Sequence, residues 1–113
     1  MAFNTETAQP APLAVIETDR SDDALVVEVT GDIDISSSPR FRTKILQLLG
    51  TGPAAAVIDM TGVGFCDSSG LSGLLQLHRY CAESGIDLRI APSKVVRRAI
   101  ELTGLSSTLK LAG

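Results

Sequence analysis

The chain has 113 residues, 44 per cent of them apolar and 4 per cent aromatic, with no Trp, a formal net charge of −3 and a pI near 5. These numbers predict one domain with an aliphatic core, burying about two-thirds of the surface its unfolded form exposes. They argue against a nucleic-acid binder, which would carry a basic face, and no run of about 20 apolar residues is available to span a bilayer.

The first twelve residues, MAFNTETAQPAP, are polar and Pro-containing. They lack the basic start and apolar centre of a signal peptide and read as a flexible tail, 1–12, ahead of a domain over 13–113. A cytoplasmic location is expected. Residues 13–18 and 25–30 are apolar and β-branched, and DRSDDA between them is a turn signal, so the pair predicts a β-hairpin. Pro39 suits the first turn of a helix with Ser38 as its cap. Phe41, Ile45, Leu48 and Leu49 carry that helix, and Gly50 and Gly52 end it.

Residues 54–60 (AAAVIDM) predict a buried strand, and TGVGF leads from it to a joint, Asp67-Ser68-Ser69-Gly70. From Ser69 to about Ser84 the positions Leu71, Leu74, Leu75, Leu77, Cys81 and Ala82 fit a helix with one broad apolar face, stopped by Gly85. Residues 86–91 predict a strand. Pro92 and Ser93 open a third helix carried by Val95, Val96, Ala99 and Ile100 and stopped by Gly104, and STLKLA predicts a last short strand. The order β-β-α-β-α-β-α-β implies right-handed crossovers between parallel strands, with antiparallel pairing added by the hairpin: an α/β fold on a mixed sheet.

The two cysteines make no disulfide framework, because Cys81 lies about three turns up the helix that follows Cys66, roughly 18–20 Å away. Both read as small buried hydrophobes. With one His, they supply too few ligands for a metal site, and no cofactor motif is present.

Three readings compete for the Asp-Ser-Ser-Gly joint. Asp67 or Ser68 simply caps a helix; yet one cap suffices, and Gly70 in the first turn lowers helix propensity by about 1 kcal/mol relative to Ala. The joint also lies outside the carboxyl end of a strand, where α/β folds place ligands. A catalytic serine is the second reading, but the G-x-S-x-G pattern of a nucleophile elbow fails at Ser68 and at Ser69. The one base, His78, lies ten residues after Ser68 on the same helix, about 15 Å along its axis. A phosphorylation switch is the third. A helix N-terminus favours an anion by roughly 0.3–1 kcal/mol, too little to remodel a domain. At an interface the phosphate's charge of about −1.5 to −2 beside Asp67 would block docking.

DMTGVGFCDSSGLSGLL (59–75) resembles the signature of the STAS domain of anti-sigma factor antagonists, an Asp-x-Ser/Thr-x-Val-x-Phe-x-Asp-Ser-Ser/Thr-Gly run joining a strand to a helix. Asp59, Thr61, Val63, Phe65, Asp67, Ser68, Ser69 and Gly70 fall in place. GDIDISSSP (31–39) resembles the family's turn after the second strand, and PSKVVRRAIELTGL (92–105) its last helix. Cys66 departs from the usual apolar residue before the Asp, and Gly62 and Gly64 read either as flexibility for a kinase or as a bulge.

The resemblance implies a STAS fold of about four to five strands and three to four helices, and a binding module rather than an enzyme. It implies that the unphosphorylated form binds an anti-sigma factor with serine kinase activity, releasing a sigma factor. The kinase would phosphorylate Ser68 and end the binding, and a PP2C-type phosphatase would restore it. Ser69 would be a supporting hydroxyl, and Asp67 would shape the loop. The expected partner-binding set is Asp67, Ser68, Ser69 and Gly70 with Asp32 and Asp34, although a turn and a helix cap account equally well for those two acids. A partner subunit of a lipid-trafficking or anion transporter is the alternative, and a serine hydrolase a remote third.

Overall fold

The computed structural model describes residues 11–21 and 23–112. Four strands, β1 (Ala14–Arg20), β2 (Ala24–Ile33), β3 (Ala55–Cys66) and β4 (Asp87–Pro92), form one sheet in the order β1-β2-β3-β4. β1 runs antiparallel to β2; β2 with β3 and β3 with β4 run parallel. Three helices, α1 (Ser38–Leu49), α2 (Ser68–Ser84) and α3 (Lys94–Leu102), complete the mixed α/β fold that the sequence predicts.

Period-two alternation sorts the sheet into a buried and a wetter face. Leu25, Val27 and Val29 of β2 and Ala56, Ile58 and Met60 of β3 are buried, whereas Val26, Glu28, Thr30, Val57 and Asp59 are half-buried. The β2–α1–β3 and β3–α2–β4 crossovers step the same way along the sheet, so right-handed connections set α1 and α2 on one face. There the helices meet; a Cβ at Gly73 would stand 3.5 Å from the Phe41 ring. α3 lies against β3 and sends Val96 and Ile100 into the core.

Several elements differ from the sequence expectation. β3 does not end at Met60 but runs on to Cys66, because the end of β2 pairs with it: Gly31 faces Val63, Asp32 faces Phe65 and Ile33 faces Cys66. Two bulges accommodate the extension, one between the Glu28–Asp59 and Thr30–Gly62 pairs and one at Gly64, which stands unpaired between Val63 and Phe65. Gly64 is thus part of a bulge. The N-cap of α1 is Ser37 rather than Ser38, with Pro39 in the first turn. Val95 is exposed, so α3 buries Val96 and Ile100 with a half-buried Ala99 between them. The last strand shrinks to a single parallel bridge between Leu111 and Ile90.

The tail expected over 1–12 falls outside the described residues up to residue 10. Ala11 and Pro12 are tied to β2: the Asp32 N–H donates to the Ala11 carbonyl at 3.1 Å, and the Ala11 N–H donates to Asp32 Oδ2 at 3.1 Å. Gly31 makes this possible. Its φ is +92°, and a Cβ there would lie 2.0 Å from the Pro12 carbonyl oxygen.

Candidate functional site

The Asp-Ser-Ser-Gly joint sits where β3 leaves the sheet and α2 begins. The Asp67 N–H donates to the Ile33 carbonyl at 3.1 Å, which fastens the joint to the end of β2. Asp67 is the N-cap, with extended backbone (φ −93°, ψ −171°). Its Oδ1 accepts the Ser69 N–H at 2.9 Å and the Gly70 N–H at 3.3 Å, satisfying two of the donors that a helix start leaves free. The same oxygen accepts the Ser69 hydroxyl at 2.5 Å. Ser69 is half-buried and held.

Ser68 differs in every respect. It is exposed, and among the described residues no hydrogen bond engages its hydroxyl. Gly70 is buried for a reason that the sequence does not display. A Cβ there would lie 2.6 Å from Cys66 Sγ and 2.8 Å from Ile33 Cγ2, so the first turn of α2 rests directly on the ends of two strands. Packing, not a ligand, accounts for the glycine.

Asp32 and Asp34 lie in and just after the strand end to which the joint is fastened. Asp32 latches residue 11, as described above. Asp34 organises the turn into α1: its Oδ1 accepts the Ser36 N–H at 2.9 Å, the Ser36 hydroxyl at 2.6 Å and the Ser37 N–H at 3.1 Å. The Ser36 hydroxyl bond, foremost among these, holds the Asp34 carboxyl below the ordinary aspartate range. Ser37 Oγ donates to the Asp32 carbonyl at 3.0 Å and so does not cap the helix it precedes. The structure thus brings all six expected residues to the same end of the sheet. It gives Asp67, Asp32 and Asp34 structural duties and leaves Ser68 without one.

No ion pair among the described residues involves Asp32, Asp34 or Asp67; the pairs present are Arg20–Glu17, Arg89–Asp87 and Lys110–Asp87. A shallow pocket of about 140 Å³ opens between residues 11–13 and Asp32, Asp34 and Arg40, well below the size of a drug-like ligand site. His78 is half-buried on α2. Both cysteines are buried and free. Among the described residues no cluster of three or more His, Cys, Asp or Glu is arranged to hold a metal, and no helix is long and apolar enough to cross a membrane.

Two side chains beside the joint, to which the sequence assigns no exposed role, stand out from the surface: Ile35 at 80 per cent exposure and Phe65 at 48 per cent. The one hint in the sequence is Ile35 inside the otherwise polar run DISSS (34–38) that follows β2.

The STAS family model matches residues 15–112. The chain belongs to the STAS domain family. Relatives of this STAS domain include the anti-sigma-F factor antagonist RsfB of Mycobacterium tuberculosis, 31 per cent identical over 86 residues, which cover 76 per cent of this chain and 70 per cent of RsfB. A crystal structure of an anti-sigma factor antagonist from Mycobacterium paratuberculosis superposes with a TM-score of 0.75 at 32 per cent identity, covering 88 per cent of this chain and 85 per cent of that one. The anti-sigma factor antagonist SpoIIAA in its unphosphorylated form shares the STAS fold with a TM-score of 0.71 at 22 per cent identity, over 88 and 89 per cent of the two chains.

Proposed function

We propose that this STAS domain is an anti-sigma factor antagonist whose docking end is switched by phosphorylation of Ser68. One observation carries the reading: of the two hydroxyls at the joint, Ser69 is bound to Asp67 and Ser68 is exposed and unbonded. A kinase needs a hydroxyl it can reach and reorient, and Ser68 meets that condition. The names of RsfB and of the M. paratuberculosis protein support the choice of partner. The unphosphorylated domain binds an anti-sigma factor with serine kinase activity, sigma is released, and a PP2C-type phosphatase restores binding after phosphorylation. These events belong in the cytoplasm, where sigma factors act.

The switch works by obstruction. Asp67 already occupies the Ser69 and Gly70 N–H groups, so a phosphate on Ser68 finds those donors taken and a carboxylate next to it. Its charge of about −1.5 to −2 stays hydrated in the free domain and has to be desolvated on docking. The fold is preserved while the complex is lost.

The test is affinity capture from lysate of the native organism with wild type, Ser68→Ala and Ser68→Glu as baits, followed by mass spectrometry. A serine-kinase-like anti-sigma factor should be retained by the first two and lost by the third. Transporter subunits held equally by all three would replace this reading with the adaptor role. Normal phosphorylation of Ser68→Ala at Ser69 would overturn the site assignment.

A further inference from the structure

Among the described residues five large apolar side chains are exposed: Ile16 on β1, Val95 and Leu102 on α3, and Ile35 and Phe65. Ile35 and Phe65 belong to the β2 and β3 ends to which the joint is fastened, whereas Val95 opens α3 beyond the carboxyl end of β4. Phe65 pairs with Asp32 across β2 and β3, and Ile35 follows two residues after Ile33, whose carbonyl accepts the Asp67 N–H. Phe65 stands three residues before Ser68 along the chain, and Ile35 follows the strand end to which Asp67 is fastened. Of the isoleucines, Ile33, Ile45, Ile58, Ile86, Ile90 and Ile100 are all buried; Ile35 is the most exposed large apolar residue of the described chain.

Both side chains are displayed from rigid backbone. Asp34 Oδ1 clamps the turn on either side of Ile35 by accepting the N–H groups of Ser36 and Ser37. Phe65 stands in a strand paired on the β2 side, next to the Gly64 bulge, which re-aims the chain. Rigid, pre-displayed apolar side chains dock with little ordering entropy, and such residues supply most of the affinity in protein interfaces. Carboxylates outnumber cations around them: Asp32, Asp34 and Asp67 stand against Arg40, which lines a pocket with Asp32 and Asp34 and donates to the Leu13 carbonyl at 3.5 Å. Asp32, Asp34 and Asp67 lie in no ion pair within the described chain.

We infer that Ile35 and Phe65 are the two apolar anchors by which this domain grips its anti-sigma partner, and that the partner offers two apolar sockets with a cationic rim. The inference rests on the reading proposed above and names the chemistry of that interface. It also explains why a phosphate on Ser68 is decisive: it would be carried into the dry space between two sockets.

The experiment uses the full chain against each anti-sigma factor of the same organism, purified individually, with binding kinetics by surface plasmon resonance. Ile35→Ala and Phe65→Thr should each weaken binding at least tenfold, chiefly through a faster off-rate. Thr keeps strand preference at position 65, and unchanged thermal melting shows that both variants are folded. Ile16→Ala and Leu102→Ala, also exposed but on the middle of β1 and the last turn of α3, should stay within twofold of wild type. Rising salt should slow the on-rate, less so for Asp34→Asn, which keeps an acceptor oxygen for the turn. Binding of Ile35→Ala and Phe65→Thr within threefold of wild type overturns the anchors and leaves the proposed function standing. Failure of wild type to bind any anti-sigma factor overturns both. Self-association of the free chain that these two substitutions abolish assigns the patch to a second copy and overturns the inference.

Discussion

Gly70 packs so closely on Cys66 that a Cβ at residue 70 would lie 2.6 Å from the Cys66 sulfur, with Ile33 Cγ2 at 2.8 Å on its other side. In isolation, Gly70→Ala would improve helix propensity by about 1 kcal/mol. Here overpacking, typically about 1–3 kcal/mol, outweighs it. Gly70→Ala should therefore lower stability in urea unfolding, and Cys66→Ala should recover part of the loss in the double variant, a coupling expected of residues in contact.

The three polar residues of the joint should separate by stability. Ser68→Ala removes an exposed hydroxyl with no partner and should shift stability by less than about 0.5 kcal/mol. Ser69→Ala removes a hydrogen bond to a carboxylate, a loss of about 1 kcal/mol or somewhat more. Asp67→Ala removes the cap, a loss of about 0.5–2 kcal/mol. Denaturant midpoints of the three variants check the order.

Acid should destabilise the domain partly through its turns. The Asp34 carboxyl is lowered chiefly by the Ser36 hydroxyl, and the Asp59 carboxyl chiefly by the Thr61 hydroxyl, which bonds Asp59 Oδ1 at 2.7 Å. A carboxyl lowered in the folded state binds its proton more readily when unfolded. Its contribution is full above the ordinary aspartate value of about 4 and is lost as pH falls through the lower folded value. Urea midpoints between pH 6 and pH 2 should fall less steeply for Asp34→Asn with Asp59→Asn than for wild type.

The thiols should be inert in the folded domain. Burial, with the Asp67 charge adding to it, pushes the Cys66 thiol up to about 11, and burial pushes the Cys81 thiol up to about 11. At pH 8 both stay protonated and covered. Ellman's reagent should react with neither until denaturant is added; fast reaction of Cys66 in the native domain would reveal opening of the joint.

Much of this domain is legible in local sequence. Apolar, β-branched runs in LVVEV and AAAVIDM mark strands, 3.6-residue spacing marks the helices, and Gly50, Gly85 and Gly104 mark their ends. Those signals act within a few residues, so no knowledge of distant contacts is needed. The continuation of β3 through Gly62 and Gly64 is not legible in that way. Glycines weaken a strand in isolation, and only the far end of β2, pairing Gly31, Asp32 and Ile33 with Val63, Phe65 and Cys66, holds the segment extended.

By itself the sequence determined the element order, the aliphatic core and the position of the Asp-Ser-Ser-Gly joint at a strand end, because each depends on neighbours along the chain. Only the tertiary structure decided which hydroxyl is held and which is free, why residue 70 has no side chain, and which apolar residues stand exposed beside Ser68. Those properties depend on β2 and β3 meeting edge to edge under the first turn of α2, and contacts between segments so far apart leave no periodic trace in the sequence of either.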